Sequence, residues 1–397
     1  TTDPDSNQDY LTVLSCSADE TLRVWDLSKS LHESQKLRKH TGQVTCLEVT
    51  YFDDQAEHSD RDSLRGKTKL LSCANDRSIF CWDLDSGEWE QKLTPSKDGT
   101  DKKLEDHKKI TGCCMFHDEQ GPKALCSTGD GRLVVFDMDF AEREREETHT
   151  LCGHGLTPCT GKPIRSNNTS NTTRTVTGCC VLNHEEHGWL AVSCGKDCTI
   201  RIWDLSKREE ASARDSATAS AQARAVLLVH TEEVNDVCAF KQDGKWKILS
   251  CSLDNTKDDV DYSGMLVCDV DKACEWFEQS GEMLFREDSS SSALSHQSTH
   301  AVSPTSRSPD RRAIRRRRRR QRSGGLSRAP TGEDEAEFVD MEMRGHWKRI
   351  NQCRVFDGLD NEVPSSTDDP QRALSCSEDH TIRVWSLKYT DASQEDG

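Results

Sequence analysis

A hydroxyl, a carboxylate and an indole recur along this 397-residue chain at one fixed spacing, Ser four residues before Asp and Trp six after it. The pattern first stands at Ser15, Asp19 and Trp25 and returns at Ser72, Asp76 and Trp82, at Ser193, Asp197 and Trp203, and at Ser375, Asp379 and Trp385. An imidazole precedes the last three sets, at His40, His154 and His346. Imidazole, hydroxyl and carboxylate are groups that transfer protons or activate nucleophiles. Their recurrence, one His for each of the last three copies, argues for a structural duty and against catalysis. No Gly-x-Gly-x-x-Gly loop, phosphate-binding loop or Gly-x-Ser-x-Gly elbow accompanies them. The remaining Asp and Glu are scattered in loop-like stretches, where a solvated face is the ordinary explanation. The chain is read as a non-enzyme with no cofactor.

Sulfur is the second chemistry. Nineteen cysteines would suggest disulfides in a secreted protein, but many fall at matching points of a repeat: Cys16, Cys73, Cys194, Cys251 and Cys376, each after a Ser. Copies of one position sit on different repeat units, beyond the Cα separation of about 7 Å that a disulfide tolerates. Free Cys packs as a small apolar residue, so these are expected to be reduced core thiols of an intracellular protein. No Cys-x-x-Cys pair occurs, and Cys194-Gly-Lys-Asp-Cys198 is a loose, isolated spacing, so no metal is expected.

The elements that must position these groups are short strands. Six segments share one grammar: 13–27, 70–84, 124–138, 191–205, 248–270 (with an insertion) and 373–387. Each gives an apolar run, a polar turn containing Asp, and alternating apolar residues ending in an aromatic or its substitute, the pattern of a β-hairpin. Between hairpins lie two more strand-like pieces around a His, such as 35–40 then 44–49 and 225–230 then 234–240. Four short strands per unit, with His near one end and Trp-Asp near the other, resemble the WD40 repeat family over nearly all of the chain outside its insertions.

The resemblance implies an all-β fold, a β-propeller of four-stranded antiparallel blades. Six blades are recognisable, the first and last incomplete, and seven are expected if the natural protein extends upstream of Thr1; a six-bladed ring is the alternative. It also implies that Trp, Ser, Asp and His form a buried hydrogen-bonded set: His40, Ser72, Asp76 and Trp82 in blade two; His154, Ser193, Asp197 and Trp203 in blade four; His346, Ser375, Asp379 and Trp385 in blade six. Blade one has no His ahead of Ser15. Blade three keeps His107 and Asp130 but has Cys126 for Ser and Phe136 for Trp, and blade five keeps His230, Ser250 and Asp254 but has Cys268 for Trp. Blades three and five are therefore expected to be looser. Trp385-Ser386 in place of Trp-Asp is expected to be tolerated.

Domain organisation follows from the repeat: residues 1–271 hold blades one to five, 272–336 a disordered Ser/Arg-rich insertion, 337–389 the remaining outer strand and last blade, and 390–397 a polar tail. The insertion offers too little apolar surface to offset its ordering entropy. Residues 207–224 are expected to form a short helix on an outer edge. The net charge of −17 is uneven: residues 287–330 carry eleven Arg against three acidic residues, a local +8, leaving −25 on the rest. An acidic body repels nucleic acid and favours basic partners. The run Arg311–Arg322 reads as a nuclear localisation or nucleic-acid patch, or as a solvated charge block; it lacks the interleaved aromatics that stack bases. No apolar stretch approaches the length that spans a membrane.

Function is then expected in the loops around the propeller's rim, as a scaffold for protein–protein interactions within an intracellular complex, cytoplasmic or nuclear. The candidate partner-binding face joins residues just before the turn Asp (Asn75, Lys196, Glu378, with Ala18, Gly129 and Leu253) to those entering the inner strands (Gln43, Lys109, Glu233, Arg349). Two alternatives compete. One is a nuclear RNA-associated or ribosome-assembly factor using the Arg run. The other is a ubiquitin-ligase substrate adaptor, weakened because Ser28, Asp85 and Ser206 stand where that signature has Arg.

Overall fold

The computed structural model describes residues 12–26, 32–52, 67–95, 109–138, 143–155, 174–205, 223–252, 263–280, 284–285, 339–346, 348–356 and 372–387. These form six sheets in chain order. Sheet one is β1 (Thr12–Cys16), β2 (Thr21–Asp26) and β3 (His32–Arg38). Sheet two is β4 (Val44–Phe52), β5 (Lys67–Ala74), β6 (Ile79–Asp83) and β7 (Trp89–Thr94). Sheet three is β8 (Ile110–Asp118), β9 (Gly121–Thr128), β10 (Arg132–Asp137) and β12 (His149–Cys152); the intervening β11 (Glu144–Glu146) runs parallel to β7 on the outside of sheet two. Sheet four is β13 (Val176–His184), β14 (Gly188–Gly195), β15 (Ile200–Asp204) and β16 (Ala223–Leu228). Sheet five is β17 (Val234–Gln242), β18 (Lys245–Ser252), β19 (Ser263–Asp269) and β21 (Val339–Arg344). The short β20 (Leu284–Phe285) adds parallel to β16. Sheet six is β22 (Ile350–Phe356), β23 (Arg372–Ser377) and β24 (Ile382–Ser386). All other pairings are antiparallel, so each sheet is a meander built from near-sequential strands.

The Asp-containing turns explain why the second and third strands of each unit fold into a hairpin. The residue after the turn Asp takes a left-handed backbone in five units, at Glu20, Arg77, Gly131, Cys198 and His380. Only one of the five is Gly, so the other four need compensation. It comes from the Asp, whose carboxylate accepts the amide and hydroxyl two residues on: 3.2 and 2.6 Å from Thr21, 2.9 and 2.6 Å from Ser78, 3.1 and 2.8 Å from Thr199, and 3.0 and 2.6 Å from Thr381. The Gly is used where space is short: a Cβ at Gly131 would stand 2.7 Å from the Arg174 carbonyl.

The core lies between the sheets. Leu71, Ile79, Leu93, Ile110, Val134 and Phe136 fill the space between sheets two and three. Leu182, Ile200, Ile202, Leu227, Val237 and Ile248 do so between four and five. The first strands of successive sheets are also stitched by one repeated hydrogen bond from the strand's second residue to the next strand's first carbonyl. Thr45 donates to Ile110 at 2.8 Å, Thr111 to Val176 at 2.6 Å, Thr177 to Val234, and Asn235 to Ile350 at 2.7 Å. Together these contacts order sheets two to six side by side through their first strands. The eighteen described cysteines are free, and burial pushes the Cys81 and Cys274 thiols up to about 12, which keeps them protonated.

Two sequence expectations need correction. The polar insertion does not begin at 272: residues Val270–Ser280 form a helix, α1, packed on β16, β18 and β19. Val270, Ala273 and Cys274 are buried and Phe277 partly so, an i, i+3, i+4, i+7 stripe that gives this stretch the apolar face its low overall hydropathy conceals. The short helix expected over 207–224 does not extend to its end, because Ala223 and Arg224 open β16; residues 207–222 lie outside those described. The rest of the expected disordered insertion, including the Arg run 311–322, also lies outside the described residues apart from Leu284 and Phe285.

Candidate functional site

Three of the recurring sets come together as complete hydrogen-bonded groups. Ser193 on β14 is the hub of the fourth: its Oγ accepts the Trp203 indole N–H at 2.8 Å and lies 2.8 Å from His154 Nε2, while His154 Nδ1 stands 3.1 Å from Asp197. In the second, Trp82 donates to Ser72 at 2.8 Å, His40 Nε2 is 2.8 Å from Ser72, and Nδ1 is 3.2 Å from Asp76. In the sixth, Trp385 and His346 Nε2 are each 2.7 Å from Ser375 Oγ, and His346 Nδ1 is 2.8 Å from Asp379. Register places them: Ser193 opposes Arg201 and the indole, two residues further along β15, reaches back across the pair. The set spans the second and third strands and the loop carrying His, so it locks the loop to the sheet.

The other units show which members are indispensable to the link. In sheet one Trp25 still donates to Ser15 at 2.9 Å without a His. In sheet five His230 Nε2 holds Ser250 at 2.8 Å although Cys268 replaces the indole; Asp254 lies outside the described residues, as does His107 of the third unit. In sheet three Phe136 is wholly buried, and Thr128 donates to Asp130 at 2.5 Å.

These sets are closed to catalysis. Ser193, His154 and Asp197 are buried, and no serine hydroxyl among them opens toward solvent. Burial opposes ionisation of Asp76, Asp197 and Asp379, but hydrogen bonds from the facing imidazole and from neighbouring hydroxyls and amides outweigh it and hold the carboxyls below their usual range. Burial also pushes the His154 imidazole down, against the pull of Asp197, so at neutral pH it is an uncharged linker between carboxylate and hydroxyl.

A second recurrent pairing was not foreseen from the sequence. In sheets two, three and five the Asp after the Trp position or its substitute faces a lysine across the hairpin: Lys69 lies 3.0 Å from Asp83 and 2.7 Å from Glu90, Lys247 lies 3.0 Å from Asp269, and Lys123 pairs with Asp137. Lys69 is fully buried. The signal was present as a Lys just before the apolar run in these three units, but only the strand register shows that it opposes the Asp. In sheet six Arg372 opposes Ser386 at the same place.

The candidate partner-binding residues sit on loops at one end of the sheets, joined in pairs by the backbone. The Asn75 amide donates to the Gln43 carbonyl at 2.9 Å, Gly129 to Lys109 at 2.8 Å, Lys196 to Thr175 at 2.9 Å and Glu378 to Arg349 at 3.0 Å. One repeated bond thus fixes the pre-turn residue beside the residue entering the first strand. Side chains then bridge neighbouring sheets: Lys196 Nζ is 3.2 Å from Glu233, and Arg349 donates to Asn235 at 2.5 Å. Gln43, Asn75, Lys109 and Glu378 are exposed, as is Ala18; Lys196, Glu233 and Arg349 are half-buried; Gly129 is buried and contributes backbone only. Leu253 lies outside the described residues.

Further along the first strands, Glu48 of β4 is raised to about 7, first by burial and then by the nearby Cys46 and Asp236, with Arg354 of β22 opposing. Arg354 is itself paired with Asp236 of β17. Groups from sheets two, five and six therefore share one electrostatic neighbourhood. A carboxyl whose pKa is higher folded than unfolded costs stability as pH rises through that interval. Glu48→Gln is expected to be neutral below about pH 5 and to stabilise above pH 7, on the order of 1 kcal/mol for a group still in touch with solvent; urea midpoints at pH 5 and 8 check it.

Comparison with known proteins bears on all of this. The WD40 model, described as WD domain, G-beta repeat, matches residues 2–26, 31–83, 161–204, 222–256 and 341–386. The matched residues leave out 84–160, which hold the sheet with Cys126 and Phe136 in place of Ser and Trp. Among curated proteins, mitochondrial division protein 1 of Mycosarcoma maydis is 36% identical over 96 residues, 24% of this chain. The match spans only 10% of that relative's length.

Proposed function

Because this chain belongs to the WD40 repeat family, we propose that it is a protein-interaction scaffold whose contact surface is the loop rim carrying Gln43, Asn75, Lys109, Lys196, Glu233, Arg349 and Glu378. WD40 repeats generally serve protein–protein interaction, and function on such a fold resides in what its loops contact. The observation that carries this reading is the repeated backbone bond between the two loops of a unit. It presents side chains of differing charge from one rigid edge, sheet after sheet, at little entropic cost to a partner. The same reading makes the six sheets the blades of a β-propeller.

The test is a comparison of captured proteins by affinity purification and mass spectrometry, using wild type and a variant with Gln43, Asn75, Lys109, Lys196, Arg349 and Glu378 all changed to Ala. Partners recovered with wild type are expected to fall at least about tenfold with the variant, the effect of losing on the order of 1.4 kcal/mol of binding. Its unfolding midpoint should stay within a few degrees, since surface changes cost little. Unchanged recovery of every partner would place the contact surface elsewhere.

The competing reading rests on the Arg-rich stretch, which brings a local +8 to an acidic chain. A nuclear RNA-associated or ribosome-assembly role requires RNA binding that weakens steeply with salt and disappears on deletion of 311–322. A ubiquitin-ligase adaptor role has less support, since Ser28, Asp85 and Ser206 replace the arginines it calls for.

A further inference from the structure

The sulfur atoms of Cys46, Cys73 and Cys113 lie within 4.8 Å of one another. They come from three strands and two sheets. Cys46 is the third residue of β4, Cys73 the seventh of β5 and Cys113 the fourth of β8; Cys46 and Cys73 are register partners. Each sheet boundary brings the same three positions together. The next boundary has Gly112 opposite Ser127, with Cys179; the one after has Gly178 opposite Cys194, with Val237; the last has Asp236 opposite Cys251, with Cys353. The closeness is general: a Cβ at Gly112 would stand 2.9 Å from Ser127 Oγ, and one at Gly178 would stand 3.4 Å from Cys194 Sγ. Among the described boundaries, only that between sheets two and three fills all three positions with sulfur.

We propose that Cys46, Cys73 and Cys113 form a three-thiolate site for a thiophilic divalent d10 metal ion, the zinc class. A metal–sulfur bond of about 2.3 Å places ligand sulfurs roughly 4 Å apart, so the observed spread needs only a small contraction. Thr45 Oγ1, 3.6 Å from Cys73 Sγ, supplies a neutral oxygen beside the group. All three ligand atoms are sulfur, which oxygen-seeking ions such as magnesium or calcium disfavour, whereas soft thiolates select zinc-like ions. Cys73 and Cys113 are closed off in the core while Cys46 is only half-buried, so Cys46 is the side from which an ion enters. On binding, three metal–sulfur bonds form and the protons still held by the thiols pass to solvent as their S–H bonds break. No electrons are transferred. The three thiols were invisible to a search for close-spaced cysteines because 26 and 39 intervening residues separate them in the sequence.

The experiment is a titration of the reduced full chain with cadmium ion, read by the sulfur-to-metal charge-transfer absorption against a competing chelator. One equivalent is expected to bind ahead of the remaining thiols. Cys46→Ser, and separately Cys113→Ser, should weaken that equivalent by about a hundredfold or more, since losing even an outer-shell partner of a metal costs roughly 10–100-fold. Cys376→Ser, at the fifth position of β23 directly after Ser375, should leave it unchanged. Zinc should raise the thermal midpoint of wild type and not of Cys46→Ser, whose half-buried position makes a folding failure least damaging to the comparison. Retention of the first equivalent by a Cys46→Ser, Cys73→Ser double variant would overturn the proposal, as would its equal loss in Cys376→Ser.

Discussion

Asp197→Ala is expected to lower the stability of this protein by about 3–5 kcal/mol, the cost of removing one partner from a buried charged network. The Asp197 side chain is 1% exposed and is shared by His154 Nδ1 at 3.1 Å, the Gly155 amide, and the amide and hydroxyl of Thr199 at 3.1 and 2.8 Å, with the Arg201 guanidinium at 3.9 Å. Arg201 is itself fully buried. Truncation takes this acceptor from an imidazole and two amides in a place water does not reach, so each bears a desolvation cost, and it removes the carboxylate facing the buried Arg201. It also removes the clamp on the left-handed Cys198 backbone. Asp19 holds the same repeat position in sheet one with its side chain 45% exposed, and no His faces it. Asp19→Ala should move the unfolding midpoint by no more than about 2 °C, against roughly 10 °C for Asp197→Ala. Equal shifts in the two variants would mean that the buried set contributes no more than its turn.

Why one Asp matters and its twin does not could not be read from spacing, which is identical in the two units. The repeat grammar in the sequence specified the hairpins and the turn Asp, because each depends on local alternation and on residues at fixed separation. The hydrogen-bonded sets were implied by the resemblance to the WD40 family, since His precedes Asp by 36, 43 and 33 residues in the three complete sets. What it left out depends on packing. The Lys–Asp pairing needed the register that opposes Lys69 to Asp83. Helix α1 was hidden because Trp276 and Phe277 stand among Asp, Lys and Glu residues that dilute the apolar stripe. The grouping of Cys46, Cys73 and Cys113 required knowing that the fourth residue of one sheet's first strand meets the third residue of the sheet before it. The third sheet makes the converse point. It keeps the meander with Cys126 and Phe136 at the Ser and Trp positions, because a filled apolar core holds the strands where the polar set is missing.

Acid should dismantle the fold in two stages whose order follows from the same groups. His154 has a lower pKa in the folded chain, from burial, so between its unfolded value near 6.5 and its folded value the unfolded chain binds more protons. Stability therefore falls as pH drops below about 6.5. Asp76, Asp197 and Asp379 are also lower when folded, where hydrogen bonds outweigh the opposing burial. Their contribution is complete above the unfolded carboxyl value near 3.9 and is lost as pH falls through the folded values. Urea midpoints measured from pH 8 to pH 3 should decline gently at first and steeply below about pH 4. Asp197→Asn supplies the decisive comparison, because it removes one titrating carboxyl while keeping the volume. The stability gap between wild type and this variant should be widest near pH 7 and should narrow below about pH 4, where unfolding of the wild type is favoured by proton uptake at the freed Asp197 carboxyl. A gap independent of pH would show that Asp197 acts through shape alone, with no part played by its charge.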